Sequence, residues 1–248
     1  MVKDIVMPPG FPETDFRAFG ISASDFFPAM MSDEALFDPE EKRRHFDWSW
    51  QAVRYRYRSC SECQDEFKAL LASPSGQAWQ DGFTDEEVVY RLERCIYVFF
   101  MSGLSVFESF AFNLYFLGNA LRLSDFPDVA TPRKITLKAT AEAFTTAFPS
   151  AAITGLLTGL PQNAAFSEID EIRNLLAHRL SGRRSRHSFG DGQTTWHEDT
   201  WHIPGAGTKL TFDEEFLQHH LDDITGLLTS LASAARVFAE TNQPTKAI

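Results

Sequence analysis

Apolar residues recur every three or four positions along most of this chain, which is the spacing of an α-helix buried on one face. The clearest run follows Thr84 and Glu87, which match a capping box, and it continues to about residue 123. Residues 39–72 are rich in helix formers and contain no Gly and no Pro beyond Pro39. Both segments are predicted to be long helices.

Shorter amphipathic patterns follow further along the chain. They predict helices over residues 136–148, 150–160, 162–180 and 213–240. Residues 188–212 differ, because Gly, Thr, Trp and Asp dominate there and turn signals are frequent. The prediction is an all-α bundle of about five or six helices, with a small irregular or β-hairpin insertion at about 188–212 before the last helix.

The N-terminal 38 residues carry four prolines and scattered aromatic residues, and they are predicted to form an irregular arm. Residues 39–248 are predicted to form one helical domain, which is long enough to bury a full core. The first residues include early acids and prolines with no apolar core segment, so no signal peptide is expected and the location is predicted to be cytoplasmic.

Composition limits the function classes. The chain is 44% hydrophobic and 13% aromatic, which is typical of a globular protein, and its formal net charge is −11. Such a charge argues against coating nucleic acid over the whole surface, so any contact with nucleic acid must be local. The three cysteines (Cys60, Cys63 and Cys95) include one C-x-x-C, but no second pair completes a zinc site. Reduced thiols and no metal or other cofactor are expected.

Residues 96–118 are apolar and long enough to span a bilayer. Glu108 lies at the middle of this stretch, where a carboxylate would cost a few kcal/mol in a membrane. The pattern also continues amphipathically on both sides. A buried central helix is therefore favoured over a membrane span.

The most informative segment for chemistry is an R-N-x-x-x-H string formed by Arg173, Asn174 and His178 near the end of a predicted amphipathic helix. The segment from Arg173 to Arg186 holds five arginines and no carboxylate: Arg173, Arg179, Arg183, Arg184 and Arg186. An imidazole can move a proton at a ribose 2′-OH, and a guanidinium can stabilise the charge of a pentacoordinate phosphate. The alternative is that the Arg lies at the helix edge and that the His is a surface residue which interacts favourably with the C-terminal end of the helix dipole.

This string, late in an all-α chain, resembles the HEPN superfamily. The resemblance implies a bundle of four or more helices that usually dimerises, and a metal-independent endoribonuclease of the kind found in toxin, phage-defence and RNA-processing settings. It places Arg173 and His178 at the catalytic pair and Asn174 at the polar position between them. Some members are non-catalytic, so the alternative is a HEPN-like module that binds nucleotide, RNA or a protein partner.

Other candidate residues have two interpretations each. Glu108 could orient Arg173 or His178 from a neighbouring helix, or it could be a hydrogen-bonded core residue. The run of alternating Arg and Tyr at 54–58 could stack on RNA, or it could be a solvated helix face. His197 and His202 do not by themselves define a metal site, and the pair at 219–220 is expected at the surface.

Taken together, the sequence predicts metal-independent RNA cleavage at a composite site in a homodimer, with Arg173, Asn174, His178 and Glu108 as catalytic candidates. RNA is the expected partner, and flanking phosphates are assigned to Arg179, Arg183, Arg184 and Arg186. An antitoxin or regulatory protein is a further expected partner. No association with a membrane is expected.

Overall fold

The computed structural model describes residues 6–24, 26–27, 39–80, 85–128, 131, 134–177, 183–190, 195–202, 209–211 and 215–243. In chain order the elements are α1 (Glu13–Ser24), α2 (Pro39–Ala72), α3 (Pro74–Gln80), α4 (Glu86–Leu121), α5 (Leu137–Ala147), α6 (Ala152–Gly159), a short 3-10 helix (Leu160–Gln162), α7 (Ala164–Ala177), β1 (Arg183–Gly190), β2 (Thr195–His202), β3 (Lys209–Thr211) and α8 (Phe216–Thr241).

The predicted fold class, an all-α helical bundle, is confirmed. The described residues contain eight α-helices rather than five or six, because α1 and α3 add to the predicted set. The chain divides into two compact units. The first comprises Met1–Arg58, Ser105–Asn163 and Ile224–Ile248, and the second comprises Ser59–Leu104 and Ala164–Asp223. The long helices α2, α4 and α8 each contribute residues to both units.

The start of α4 is capped by Asp85. Its carboxylate oxygen Oδ1 accepts hydrogen bonds from the backbone N–H groups of Glu87 at 3.0 Å and Val88 at 3.2 Å. These donors have no partner within the helix, so the carboxylate satisfies them. Its negative charge also interacts favourably with the positive N-terminal end of the helix dipole. The predicted cap, Thr84, lies outside the described residues, and the cap observed is one residue later.

The N-terminal segment is part of the core of the first unit. Within residues 1–38, which the sequence predicted as an irregular arm, the structure contains the 12-residue helix α1. Phe16 is buried and stacks on Trp50 of α2 with ring centroids 3.6 Å apart. A Cβ at Gly20 would lie 2.8 Å from the same indole, so glycine permits this approach. The prediction of an irregular arm is therefore wrong for α1.

A buried ion pair joins α2 to the segment after α4 in the first unit. Lys42 Nζ lies 3.1 Å from Asp128 Oδ1, and the two side chains are 1% and 4% exposed. Asn119 on α4 donates its amide N–H to the same carboxylate at 2.9 Å and to the carbonyl of Phe126 at 2.6 Å. These contacts compensate two charges that would be costly to bury alone.

The second unit contains the small sheet. Strands β1, β2 and β3 pair in that order and are antiparallel, with Arg183 opposite His202 and Trp201 opposite Leu210. The strands overlap the predicted insertion at 188–212, but β1 begins at Arg183. Three arginines of the basic segment, Arg183, Arg184 and Arg186, therefore belong to a strand.

Helix α4 is the one helix in the described part of the chain that is long and apolar enough to cross a membrane. Of its most apolar 18-residue window, 61% is buried inside the protein. A buried share of this size is what a core helix presents, and it agrees with the interpretation of residues 96–118 as a central helix.

Candidate functional site

Helix α7 carries the R-N-x-x-x-H string and is anchored in the second unit by one apolar face. The apolar stripe of this amphipathic helix is buried where it is described, at Phe166, Ile169, Ile172 and Leu176. This stripe fixes the rotation of α7 about its axis. Polar residues beside the stripe are thereby placed at its edge, and Arg173 and Asn174 are both partly exposed there.

Arg173 and Asn174 are directly hydrogen-bonded. Arg173 Nη1 donates to Asn174 Oδ1 at 2.9 Å. Asn174 Nδ2 in turn donates to Asp170 Oδ1 at 3.0 Å, one helical turn earlier. The three side chains form a chain in which a carboxylate holds an amide and the amide holds a guanidinium.

The orientation of the Asn174 amide is set by its two neighbours. A guanidinium can only donate and an ionised carboxylate can only accept. The amide oxygen must therefore face Arg173 and the amide nitrogen must face Asp170, because the flipped amide would lose both bonds. Asn174 thus restrains the Arg173 side chain, which has five donors suited to phosphate oxygens.

Sequence reasoning missed Asp170. Its signal was available, because Asp170 is four residues before Asn174 and three before Arg173, and both spacings put side chains side by side on a helix. Asp170 lies three residues before the first arginine of the basic segment, so a pattern of arginines alone does not include it. The carboxylate gives the site a mixed charge rather than a purely positive one.

Two predicted site residues, His178 and Arg179, lie outside the described residues, since the description of α7 ends at Ala177. The structure therefore neither joins His178 to Arg173 nor separates them. Leu180, which continues the same four-residue spacing after Leu176, also lies outside the described residues.

The other three predicted phosphate-binding arginines are in strand β1. Arg183 is opposite His202, Arg184 is opposite Trp201 and Arg186 is opposite Asp199 in the register with β2.

Glu108 does not have the buried environment that the sequence predicted. Its side chain is exposed, accepts a hydrogen bond from Ser105 Oγ at 3.4 Å and interacts electrostatically with Arg56. It belongs to the first unit, whereas Arg173 belongs to the second. The buried polar residue of this helix segment is instead Asn113, whose amide donates to the carbonyl of Phe46 at 2.9 Å.

The alternating Arg and Tyr run at 54–58 does not present its two tyrosines together. Tyr57 is fully buried, and its hydroxyl lies 2.7 Å from Thr225 Oγ1. Tyr55, two residues earlier on α2, is 52% exposed. Because the run supplies one ring to the core and one to solvent, it does not present two rings on which RNA could stack.

The arginines of the same run make contacts within the first unit. Arg54 Nη2 lies 3.6 Å from Glu13 Oε1, and Arg56 Nη1 donates to the backbone carbonyl of Ser105 at 3.1 Å. Burial lowers the pKa of Arg56, and Glu108 opposes that shift. Both cations help to fix α1 and α4 to α2.

The three cysteines are free thiols. Burial raises the pKa of Cys63 to about 11 and that of Cys95 to about 12, and it raises the pKa of the fully buried Cys60 well above its ordinary value. Thiols in such surroundings are poor nucleophiles and poor metal ligands. Across the residues that the structure describes, no three His, Cys, Asp or Glu side chains are grouped as a metal site would require.

One histidine is placed differently from the prediction. His219 is exposed, with a side chain that is 75% accessible, and it lies 3.9 Å from Asp223. His220 is only 3% exposed, so its prediction as a surface residue is wrong. The helical period that exposes one residue of an adjacent pair turns the other toward the core.

In comparisons with known proteins, no protein-family model matched this chain, and neither a curated protein nor a solved structure did.

Proposed function

We propose that this protein is a metal-independent endoribonuclease of the HEPN type. The observation that carries the proposal is the hydrogen-bonded chain from Asp170 through Asn174 to Arg173, on the helix that precedes His178 in sequence. It supports a site in which an amide orients a guanidinium and an imidazole follows five residues later in the sequence. The resemblance of Arg173, Asn174 and His178 to the superfamily pattern points the same way.

In the proposed reaction His178 removes the proton from a ribose 2′-OH, and the 2′-oxygen attacks the adjacent phosphorus. The bond from phosphorus to the 5′-oxygen breaks, and that oxygen takes a proton from solvent water, to which His178 then returns the proton it removed; the products are a 2′,3′-cyclic phosphate and a 5′-OH. Arg173 stabilises the added negative charge of the pentacoordinate transition state. Asn174 positions Arg173, so its role is indirect.

The partners follow from the same proposal. RNA is the substrate, and Arg179, Arg183, Arg184 and Arg186 bind phosphates on either side of the cleaved bond. We further propose a homodimer with a composite site, cytoplasmic location, and a toxin or phage-defence role under the control of an antitoxin or other regulatory protein. Glu108 is left out of this proposed site, because it is exposed and interacts with Ser105 and Arg56.

The test is cleavage of total cellular RNA in EDTA by the wild type and by His178→Ala and Arg173→Ala, read on a denaturing gel. Glu171→Gln is the matched control, because this exposed carboxylate lies on the same helix outside the hydrogen-bonded chain. We expect discrete fragments from the wild type and the control only. Equal cleavage by His178→Ala, or loss of cleavage in EDTA, would contradict the proposal.

A second candidate function is a non-catalytic HEPN-like module that binds nucleotide, RNA or a protein partner. The observation that favours it is Asp170, whose carboxylate lies within the site and lowers its positive potential in a chain of net charge −11. Binding that survives His178→Ala, with no cleavage at any enzyme concentration, would select this function over the first.

A further inference from the structure

A buried histidine in the first turns of α8 has no part in the proposed reaction. His220 packs between two phenylalanine rings of the second unit, with its ring centroid 5.0 Å from that of Phe100 on α4 and 5.2 Å from that of Phe216 on α8. Both pairs are close to perpendicular, at 78° and 66°. Fully apolar neighbours on two sides make this an unusual place for a group that can gain a charge near neutral pH.

The hydrogen bond of His220 fixes where its proton lies. Nδ1 is 2.8 Å from the backbone carbonyl oxygen of Phe216. A carbonyl can only accept, so Nδ1 carries the hydrogen and Nε2 of the neutral ring is a bare acceptor. Nε2 is buried and has no hydrogen-bond partner in the part of the chain that the structure describes. Any further proton must go to this buried atom.

The charged groups around the ring come from two helices. Glu168 approaches from α7, Asp223 and the exposed His219 belong to α8 itself, and α4 contributes the uncharged Phe100. Burial lowers the pKa of His220, and the hydrogen bond to the Phe216 carbonyl and the carboxylate of Glu168 oppose that shift.

We propose that protonation of His220 detaches the start of α8 from the core of the second unit. Protonation at Nε2 puts a positive N–H beside the two phenylalanine rings, where the described residues offer it no acceptor, and such a charge is costly to bury. The imidazolium leaves the space between Phe100 and Phe216 for water. Residues 216–223 then lose their anchorage in the second unit while the more distant turns of α8 keep theirs.

The direction of the pH dependence follows from linkage. In the closed state the His220 ring lies between Phe100 and Phe216, and in the open state it is in water. The pKa of His220 is lower in the closed state than in the open state, where it is near the ordinary value of about 6.5. The closed state is therefore fully stabilised above that pH and loses stability as the pH falls below it. One proton changes the closed-to-open ratio by up to about tenfold between pH 7.5 and 5.5.

Hydrogen exchange of the full-length protein, corrected for intrinsic rates, tests this detachment. We expect protection of residues 216–223 to fall by up to about tenfold from pH 7.5 to 5.5 in the wild type and in the control His219→Gln, and to fall much less in His220→Phe. The phenylalanine keeps the ring but cannot be protonated. An equal fall in His220→Phe, or no fall in the wild type, would overturn the proposal.

Nuclear magnetic resonance of the histidine rings needs no variant and decides the case if His220→Phe does not fold. The expected result is a His220 titration midpoint below 6.5 with the hydrogen on Nδ1 at neutral pH. A midpoint at or above 6.5 would reject the detachment. These outcomes are independent of RNA cleavage, so the proposed function and this inference can fail separately.

Discussion

The amide of Asn174 donates a hydrogen bond to the carboxylate of Asp170, 3.0 Å away and one turn earlier on α7. With its other end the same amide accepts from Arg173. An acidic residue thus acts on the guanidinium of the candidate site through a neutral intermediary. The Arg side chain is held in place by Asn174, which bears no charge to compete with a phosphate.

Asp170 should matter to RNA cleavage without mattering much to folding. Asp170→Ala removes the acceptor that fixes the Asn174 amide, and we expect kcat/KM to fall by about tenfold, which corresponds to one lost hydrogen bond to a charged group. Asp170→Asn keeps an acceptor oxygen and should retain most of the activity. The free energy of unfolding should change by no more than about 0.5 kcal/mol, as for other pairs four residues apart on a helix.

The control for this prediction is Glu171→Ala, which removes the adjacent exposed carboxylate from the same helix. Steady-state cleavage kinetics and urea unfolding would be measured for all three variants. If Asp170→Ala and Glu171→Ala lowered kcat/KM equally, the effect would be one of general charge and not of positioning.

The Lys42–Asp128 pair should be a major contributor to stability of the first unit. Lys42→Met leaves the Asp128 carboxylate buried without its cation, and the loss of one partner of a buried pair costs about 3–5 kcal/mol. Lys138→Met is the matched control, because its pair with Glu142 is exposed, at 87% and 68%. Exposed pairs contribute about 0–1 kcal/mol. Similar urea midpoints for the two variants would show that the buried pair is not needed.

The two tyrosines of the 54–58 run should respond differently to loss of the hydroxyl. Tyr57→Phe removes the group that lies 2.7 Å from Thr225 Oγ1, and we expect a loss of about 1 kcal/mol in the free energy of unfolding. Tyr55→Phe alters an exposed ring and should change it by less than about 0.5 kcal/mol. Thermal or urea denaturation distinguishes them, and equal effects would argue against the assignment of Tyr57 to the core.

The cysteines should be slow to alkylate in the native protein. With the pKa of Cys63 near 11, its thiolate fraction at pH 8 is on the order of a hundredfold lower than that of an ordinary thiol of pKa about 8.5. Cys60 and Cys95, which are buried, should react more slowly still. Mass spectrometry after iodoacetamide treatment measures the rates, with the urea-unfolded chain as the reference in which all three react. A native thiol that reacted at the unfolded rate would contradict the prediction.

Local spacing was enough to predict the main helices. The three- and four-residue repeat of apolar side chains gives α2, α4 and α8, and it gives the buried face of α7 from Phe166 to Leu176. This works because a helix forms from contacts between residues close in sequence, and its period reveals which face is apolar. The pattern also contained Arg173 and Asn174 as polar neighbours at the edge of that face.

Tertiary contacts decided which polar or aromatic residue of each helix faces the core. Within α4 the carboxylate of Glu108 is exposed and the amide of Asn113 is buried, although both lie in one apolar stretch. Tyr57 and His220 are buried while Tyr55 and His219 are exposed. Packing of α1 against Trp50 likewise depends on residues distant in sequence. A sequence determines the period of a helix by itself, but the burial of a single position depends on neighbours that only the folded chain brings close.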